Sequence, residues 1–119
     1  MAEVVNPKHM VHTVTIANGA AVSPALDLSG WIPVGIVMPA AWTAADIAFL
    51  ASVDDATYVP LYDVYGAQIS VKANVSTQIQ LDPTVFAGVR FLKLQSGLTG
   101  ATVNQGAART ITLIARKVE

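Results

Sequence analysis

The sequence predicts an all-β fold: a single-domain antiparallel β-sandwich or jelly roll of about eight strands with a short N-terminal arm. The first observation is the length, because 119 residues are enough for one domain and not for two. The second is the rhythm, since short runs rich in valine, threonine and alanine are separated by turn residues about every eight to twelve positions. The third is that only residues 40–45 and 83–87 could be helical, and both are too short to form a stable helix alone.

The N-terminal half begins with residues 1–10, which follow neither the strand nor the helix period and are assigned to the arm. Residues 11–17 alternate apolar and polar side chains and end at the turn signal Asn18-Gly19. Three segments follow: a short edge segment, a continuous apolar run and a strand with one apolar face. These are residues 25–28, residues 34–38, which end at Pro39, and residues 47–53, with Ile47, Phe49, Ala51 and Val53 on one face.

The C-terminal half contains three shorter strands, predicted at residues 58–62, 68–71 and 77–81. Asp82-Pro83 then starts a loop or one helical turn that reaches Phe86. The two strongest strand patterns are residues 89–95 and 109–118, and the loop between them is rich in glycine, threonine and asparagine. The sandwich domain is therefore predicted to span residues 11–119.

The predicted core is drawn from the strongest strand segments, where apolar side chains are most regular. Phe91 and Leu92 are adjacent, so they cannot both point into one sandwich, and one of them is expected to meet a second apolar layer or a partner. The core set is Phe49, Phe91, Leu92, Leu94, Ile111 and Leu113.

Composition excludes several classes of protein. With no cysteine, the chain has no disulfide framework, no thiolate zinc site and no cysteine nucleophile. With a net charge of −1, the chain lacks the excess of basic residues that binding to nucleic acid or anionic lipid requires. Membrane insertion is not expected either, since the apolar stretch over residues 31–50 is interrupted by prolines and polar residues, and residues 1–10 lack the apolar centre of a signal peptide. Synthesis in the cytoplasm is the expectation.

The low content of charged residues is the most unusual feature of the composition. They make up 13% of the chain, whereas soluble domains carry about 25%. A folded monomer of this size exposes about 6,000 Å², which leaves about 400 Å² for each charge, the size of the largest apolar patch that a typical monomer tolerates. We therefore expect permanently covered contacts, either in a homo-oligomer such as a trimer or on a lattice of another protein.

No pattern in the sequence indicates catalysis, a metal or a cofactor. His9 and His12 flank the start of a strand, where alternation sends them to opposite faces. The aspartates lie at predicted strand ends and turns, where they bond the local backbone. The chain is therefore expected not to be an enzyme, and no catalytic, cofactor-binding or metal-binding residue is assigned.

Aromatic side chains near strand ends leave carbohydrate binding open as an alternative. Sandwich proteins that bind sugars do so through exposed rings, whereas tryptophans in this position can also wedge the ends of a core. The residues concerned are Trp31, Trp42, Tyr58, Tyr62 and Tyr65.

Two stretches resemble the discoidin-like, galactose-binding-like sandwiches. The first, Ser52-Val-Asp-Asp-Ala-Thr-Tyr-Val-Pro-Leu61, is similar to their S-x-D-G-x-x-[WY]-x-x-L hairpin, with Asp55 in place of the glycine. The second, Phe86-Ala-Gly-Val-Arg90-Phe-Leu-Lys-Leu94, is similar to their F-x-x-x-R-[YF]-[LIV]-[KR]-[LIV] strand. The resemblance implies an architectural role for Arg90 and Phe91.

The pattern Leu-Ser-Gly-Trp-x-Pro-x-Gly-Ile-x-Met-Pro-Ala-Ala-Trp-Thr over residues 28–43 resembles small proteins encoded among the structural genes of tailed phages. This resemblance implies a virion component, a capsid decoration (cement) protein or the base of a head spike. The expected partners are further copies of the chain and the major capsid protein or another virion protein, and the expected location is the virion. The alternative is a carbohydrate-binding module of a phage adhesion device, the spike or the tail.

Overall fold

The computed structural model describes residues 9–117, which fold into a β-sandwich of antiparallel strands. Ten strands and one turn of 3-10 helix, Pro83–Phe86, make up the regular structure. The strands are β1 (His9–Ile16), β2 (Leu26–Asp27), β3 (Trp31–Val37), β4 (Ile47–Ser52), β5 (Val59–Pro60), β6 (Ser70–Val71), β7 (Gln78–Gln80), β8 (Phe91–Leu98), β9 (Ala101–Thr102) and β10 (Arg109–Lys117). The predicted fold class is confirmed, and no helix in the described range is long and apolar enough to cross a membrane.

The strands divide into two sheets. The first sheet has the order β1-β10-β3-β7, and the second has the order β2-β8-β4-β5, with β6 also pairing with β4 and β9 with β8. The strands nearest the two chain ends, β1 and β10, lie side by side and pair over the whole length of β1. Every pairing is antiparallel. Because successive side chains of an extended strand point to opposite faces of its sheet, alternate residues face the interior.

The core lies between the two sheets and is made of aliphatic side chains around a pair of phenylalanines. Phe49 of β4 and Phe86 of the 3-10 turn meet edge to face, with ring centroids 5.0 Å apart and ring planes at 82°. Asp82 caps this turn, because its side chain accepts from the Thr84 backbone N–H. Of the predicted core residues, Phe49, Leu92, Leu94, Ile111 and Leu113 are fully buried.

Two residues of the predicted apolar faces are placed differently. Phe91 is half-buried on the outer side of the second sheet, because Leu92 takes the inward position and the alternation leaves no room for both. Val53 is exposed, since β4 ends at Ser52 and the chain turns before the next inward position. The prediction of Phe91 as a core residue was therefore wrong.

Strand β3 begins three residues earlier than the predicted segment and contains Pro33. The pairing of β3 with β10 shifts register here, since Ile114 lies opposite Gly35 whereas Ala115 lies opposite Pro33. The bulge leaves Val34 as an extra residue, and a strand tolerates proline at such a bulge because the hydrogen-bond ladder is already interrupted there.

The first described strand begins at His9, before the predicted end of the arm at residue 10. His9 and Met10 belong to β1, because β10 extends far enough to give them Arg116 and Ala115 as partners. Residues 1–8, which carry the rest of the predicted arm, lie outside the described residues.

A buried glutamine fastens the long loop between β8 and β10. Gln105 is 1% exposed, and its amide meets four groups. The carbonyl oxygen accepts from the Thr43 backbone N–H at 2.8 Å and from Arg109 Nε at 3.2 Å. The amide nitrogen donates to the Thr43 carbonyl at 3.0 Å and to Ser96 Oγ at 2.7 Å. The loop is therefore fixed to the segment before β4 and to both flanking strands.

We expect Gln105→Leu to lower the free energy of unfolding by about 2 kcal/mol, because several buried polar groups lose their partner at once. Urea unfolding measures the change. Gln80→Leu is the matched control, since Gln80 is exposed and its replacement is expected to stay within about 0.5 kcal/mol. Equal effects of the two substitutions would show that the Gln105 hydrogen bonds add nothing.

Candidate interaction surfaces

The outer face of the first sheet is built from uncharged side chains. Two rows cross all four strands, one running Val11, Ile114, Gly35, Gln80 and the other Thr13, Thr112, Val37, Gln78. Thr15 and Thr110 extend it, and their hydroxyls lie 2.9 Å apart. We call this surface the threonine face, and define it by Val11, Thr13, Thr15, Val37, Gln78, Gln80, Thr110, Thr112 and Ile114.

The sequence dictates this face through alternation on β1 and β10. On both strands the aliphatic residues between these positions point into the core, which leaves the threonines and a valine or isoleucine outside. Val11 is 63% exposed. At the end of this face His9 and Arg116 lie opposite each other, with His9 Nε2 and Arg116 Nη1 3.5 Å apart. The charged residue of this pair, Arg116, thus lies at the border of the threonine face.

The outer face of the second sheet has a different character, because cations lie over aromatic rings there. The Arg90 guanidinium is 4.7 Å from the Phe91 ring centroid, and its Nε lies 3.6 Å from Asp27 Oδ1. Further along the strand the Lys93 ammonium is 4.2 Å from the Tyr58 ring centroid. Phe91 pairs with Asp27 of β2, and the architectural role that the discoidin-like resemblance implies for Arg90 and Phe91 stays a prediction.

Burial and a hydrogen bond to Asp55 raise the pKa of Tyr58 to about 12. The neutral phenol is therefore favoured in the folded chain, and this contribution to stability is present below the ordinary tyrosine pKa and lost as the pH rises through about 12. We expect ultraviolet titration to show one tyrosine ionising near that pH, and Tyr58→Phe to remove this step. Asp55→Asn lowers its midpoint without restoring the ordinary value, because burial is the larger cause. Loss of any other step in Tyr58→Phe would contradict the assignment.

A hairpin over residues 61–69 projects from the edge of the second sheet and exposes apolar side chains. At its tip Val64 is 92% exposed and Tyr65 is 91% exposed, while Tyr62 at its base is 51% exposed. Asp63 holds the tip in shape, because its Oδ1 accepts from the backbone N–H groups of Tyr65 at 2.8 Å and Ala67 at 2.9 Å. A groove of about 500 Å³ runs between this hairpin and the Asp82–Val85 segment.

The five aromatic residues considered for sugar binding do not converge. Trp42 packs against the core and donates its indole N–H to the Ala45 carbonyl at 3.0 Å, so it wedges one end of the sandwich. Trp31 lies at the start of β3 with the Lys117 ammonium 5.2 Å from its ring. Tyr58 lies on the second sheet, and the structure brings only Tyr62 and Tyr65 to a common groove.

The two histidines lie on opposite faces of β1, as the spacing predicts. His9 points outward, whereas His12 points inward, and its Nε2 is buried without a hydrogen-bond partner among the described residues. Within residues 9–117, no group of three or more histidine or acidic side chains is arranged to hold a metal ion.

The turn that resembles the discoidin-like hairpin has a distinctive backbone. The Asp54 carboxylate accepts from the backbone N–H groups of Ala56 and Thr57 and from Ser52 Oγ, and these hydrogen bonds hold the pKa of Asp54 below its usual value. Asp55 has φ 60°, the left-handed conformation that glycine adopts most easily. Aspartate tolerates this conformation better than most other residues do.

The threonine face is not among the surfaces predicted from the sequence. Its signal was present in the alternation of residues 11–17 and 109–118, where threonine recurs at the positions that face away from the core. The pairing of β1 with β10 and β3, which the alternation does not specify, brings these residues together.

Comparison with one solved structure supports the fold. The chain is similar to the SPBc2 prophage-derived protein YomS, with a TM-score of 0.55 and 14% sequence identity over 95% of this chain and 98% of that one. It is also similar, with a TM-score of 0.44 and 14% identity, to the mitogen YPM of Yersinia pseudotuberculosis, over 96% of this chain and 88% of the mitogen. No protein family matches the chain, and no relative was found among curated proteins.

Proposed function

We propose that the chain is a structural protein of a tailed bacteriophage, located in the virion, where it binds the capsid as a decoration or cement protein. The threonine face carries the proposal. It is the outer surface of a four-stranded sheet, and it presents hydroxyl, amide and branched aliphatic groups with no charge among its nine defining residues. Covering such a surface requires no charge to be desolvated, so no ion pair is needed to offset that cost.

The fold and the composition support the same proposal. A solved structure that is similar over nearly the whole chain is a prophage-derived protein, and the pattern over residues 28–43 resembles products of phage structural genes. The whole chain carries fifteen charged residues on a folded surface of 6179 Å². A protein that is permanently seated on a shell leaves less of this surface in contact with water.

The test is binding of the purified chain to virions of the phage that encodes it, measured by co-sedimentation over a range of concentrations. We expect saturable binding in many copies per particle. A variant with Thr112→Lys and Gln78→Lys places two charges in one row of the threonine face, and its affinity is expected to fall by about tenfold or more, because each lysine must be desolvated on binding.

The matched control carries Val64→Lys and Tyr65→Lys at the exposed tip of the hairpin that projects from the other sheet. Its affinity is expected to stay unchanged. Circular dichroism and thermal unfolding establish that both variants are folded. If the hairpin variant loses binding and the sheet variant keeps it, the threonine face is not the docking surface, and absence of binding by the unmodified chain overturns the function.

A second candidate function, carbohydrate binding in a phage adhesion device, is supported by the hairpin groove. Tyr62 and Tyr65 line it together with the carboxylates Asp63 and Asp82, and sugar sites combine aromatic faces with polar acceptors. A glycan array tests this function. Binding that is lost in Tyr62→Ala and Tyr65→Ala, but retained in the lysine variant of the threonine face, would favour adhesion over decoration.

A further inference from the structure

Strand β1 forms a free edge of the first sheet, and it differs from the other edges of the described structure. It pairs with β10 on one side and with no described strand on the other. It is eight residues long, His9–Ile16, without proline, lysine or a bulge. Natural proteins use those devices to keep a strand edge from pairing with another chain.

The remaining edges of the two sheets are protected. On the far side of the first sheet, β7 is three residues long and is followed closely by Pro83. In the second sheet, β2, β5, β6 and β9 are two residues each. Pro24 precedes β2 and Pro60 lies within β5. Within residues 9–117, β1 is therefore the one sheet edge that has none of these features. It is also a long edge, with the most backbone groups available for pairing with another chain.

We propose that two copies of the chain associate by antiparallel pairing of β1 with β1, so that the two first sheets join into one continuous sheet of eight strands. A row of backbone N–H and C=O groups is satisfied by extended backbone, and a second copy supplies an identical row. The pairing is isologous, with a two-fold axis perpendicular to the sheet. The inference concerns the isolated chain and stands apart from capsid binding.

The side chains of β1 suit such self-pairing. Directly opposite residues in an antiparallel pair lie on the same side of the sheet. Each inward-pointing residue of β1 must therefore lie opposite an inward-pointing residue of the partner strand. This is possible only when the two-fold axis passes between one residue and the same residue of the partner. With His12 at the axis, Val11 lies opposite the partner's Thr13; with Thr13 at the axis, Val11 lies opposite the partner's Thr15. Either register covers the exposed Val11 and sets β-branched side chains against each other, with no acidic or lysine side chain on the strand.

This geometry specifies a dimer and disagrees with the trimer suggested by the charge content. A free edge can pair once, and two edges related by a two-fold axis use each other completely. The two threonine faces then lie side by side on the same surface of the joined sheet, which doubles the uncharged area without covering it.

Sedimentation velocity over a concentration series tests the proposal on the full chain without particles. We expect a concentration-dependent dimer. Val11→Lys with Thr13→Lys places lysines opposite each other in either register and is expected to raise the dissociation constant by about tenfold or more. Gln78→Lys with Gln80→Lys puts the same charges on the same face at the opposite edge, and this control is expected to remain a dimer.

A second measurement keeps the test independent of whether the lysine variant folds. Because the chain has no cysteine, Thr13→Cys and Gln78→Cys each introduce a single thiol. Mild oxidation is expected to link Thr13→Cys into a covalent dimer much faster than Gln78→Cys. A monomeric wild-type chain, a trimer, or equal cross-linking of the two variants would overturn the proposal. Failure of virion binding would overturn only the proposed function.

Discussion

Phe49→Ala is expected to lower the free energy of unfolding by about 3–5 kcal/mol, the cost of emptying a phenylalanine site in a packed core. Phe49 is fully buried on β4, and its edge-to-face contact with Phe86 joins that strand to the 3-10 turn. Loss of the ring therefore removes both apolar burial and the support of the turn. Equilibrium urea unfolding, with an unchanged denaturant dependence, measures the effect.

Phe91→Ala is the control for this measurement. Phe91 is the first residue of the neighbouring strand β8, where it is half-buried and its ring lies beneath the Arg90 guanidinium. Its removal is expected to cost no more than about 2 kcal/mol, because part of the ring is already in contact with water. If both substitutions cost the same, the inward and outward assignments on β4 and β8 are incorrect.

Gly97→Ala is expected to lower the free energy of unfolding by about 3 kcal/mol or more, since two penalties combine. Gly97 has φ 86°, which is unfavourable for alanine. A Cβ at this position would also lie 2.6 Å from the Ala101 carbonyl oxygen and 2.9 Å from the Val103 nitrogen. These are backbone atoms of the β8–β9 hairpin, so relief requires the strands to move apart.

Gly100→Ala separates the two penalties. Gly100 has φ 88°, nearly the same conformation, but a Cβ there would meet no atom within 4 Å. Its cost is expected to be the conformational term of about 1–2 kcal/mol. The difference between the two variants in thermal or urea unfolding is then the steric term. Equal losses of stability in the two variants would mean that the hairpin strands move apart at no cost in free energy. The close approach of backbone atoms at Gly97 would then be unimportant.

Alternation in the sequence predicts the fold class and the interior of the longest strands. It correctly assigns Leu92, Leu94, Ile111 and Leu113 to the core, because period-two burial is a local property. It fails where two adjacent apolar residues compete for one inward position, as at Phe91. It also fails where a bulge lets a proline lie within a strand, as at Pro33, since a bulge depends on the neighbouring strand.

The candidate surfaces were less predictable than the fold, for a physical reason. The threonine face joins β1, β3, β7 and β10, whose order follows from tertiary pairing. Gln105 has no local signal either, because it is a single amide in a polar loop and its partner Thr43 is 62 residues away. The exposed tyrosines of the hairpin were found from residue type and position, and the structure added which of them share a groove.

The pairing of β1 with β10 has a consequence for synthesis of the chain on the ribosome. Of the described strands, β1 emerges first, and its only neighbour among them is β10, which is made last. Strands β2, β4, β5, β6 and β8 can pair before β10 has been made, whereas both edges of β1 stay unpaired until then. Long-range closure of this kind is slow and leaves an extended segment open to misassembly. Final docking of β10 therefore completes folding, and truncation of the C-terminal strand is expected to leave nascent chains that aggregate through β1.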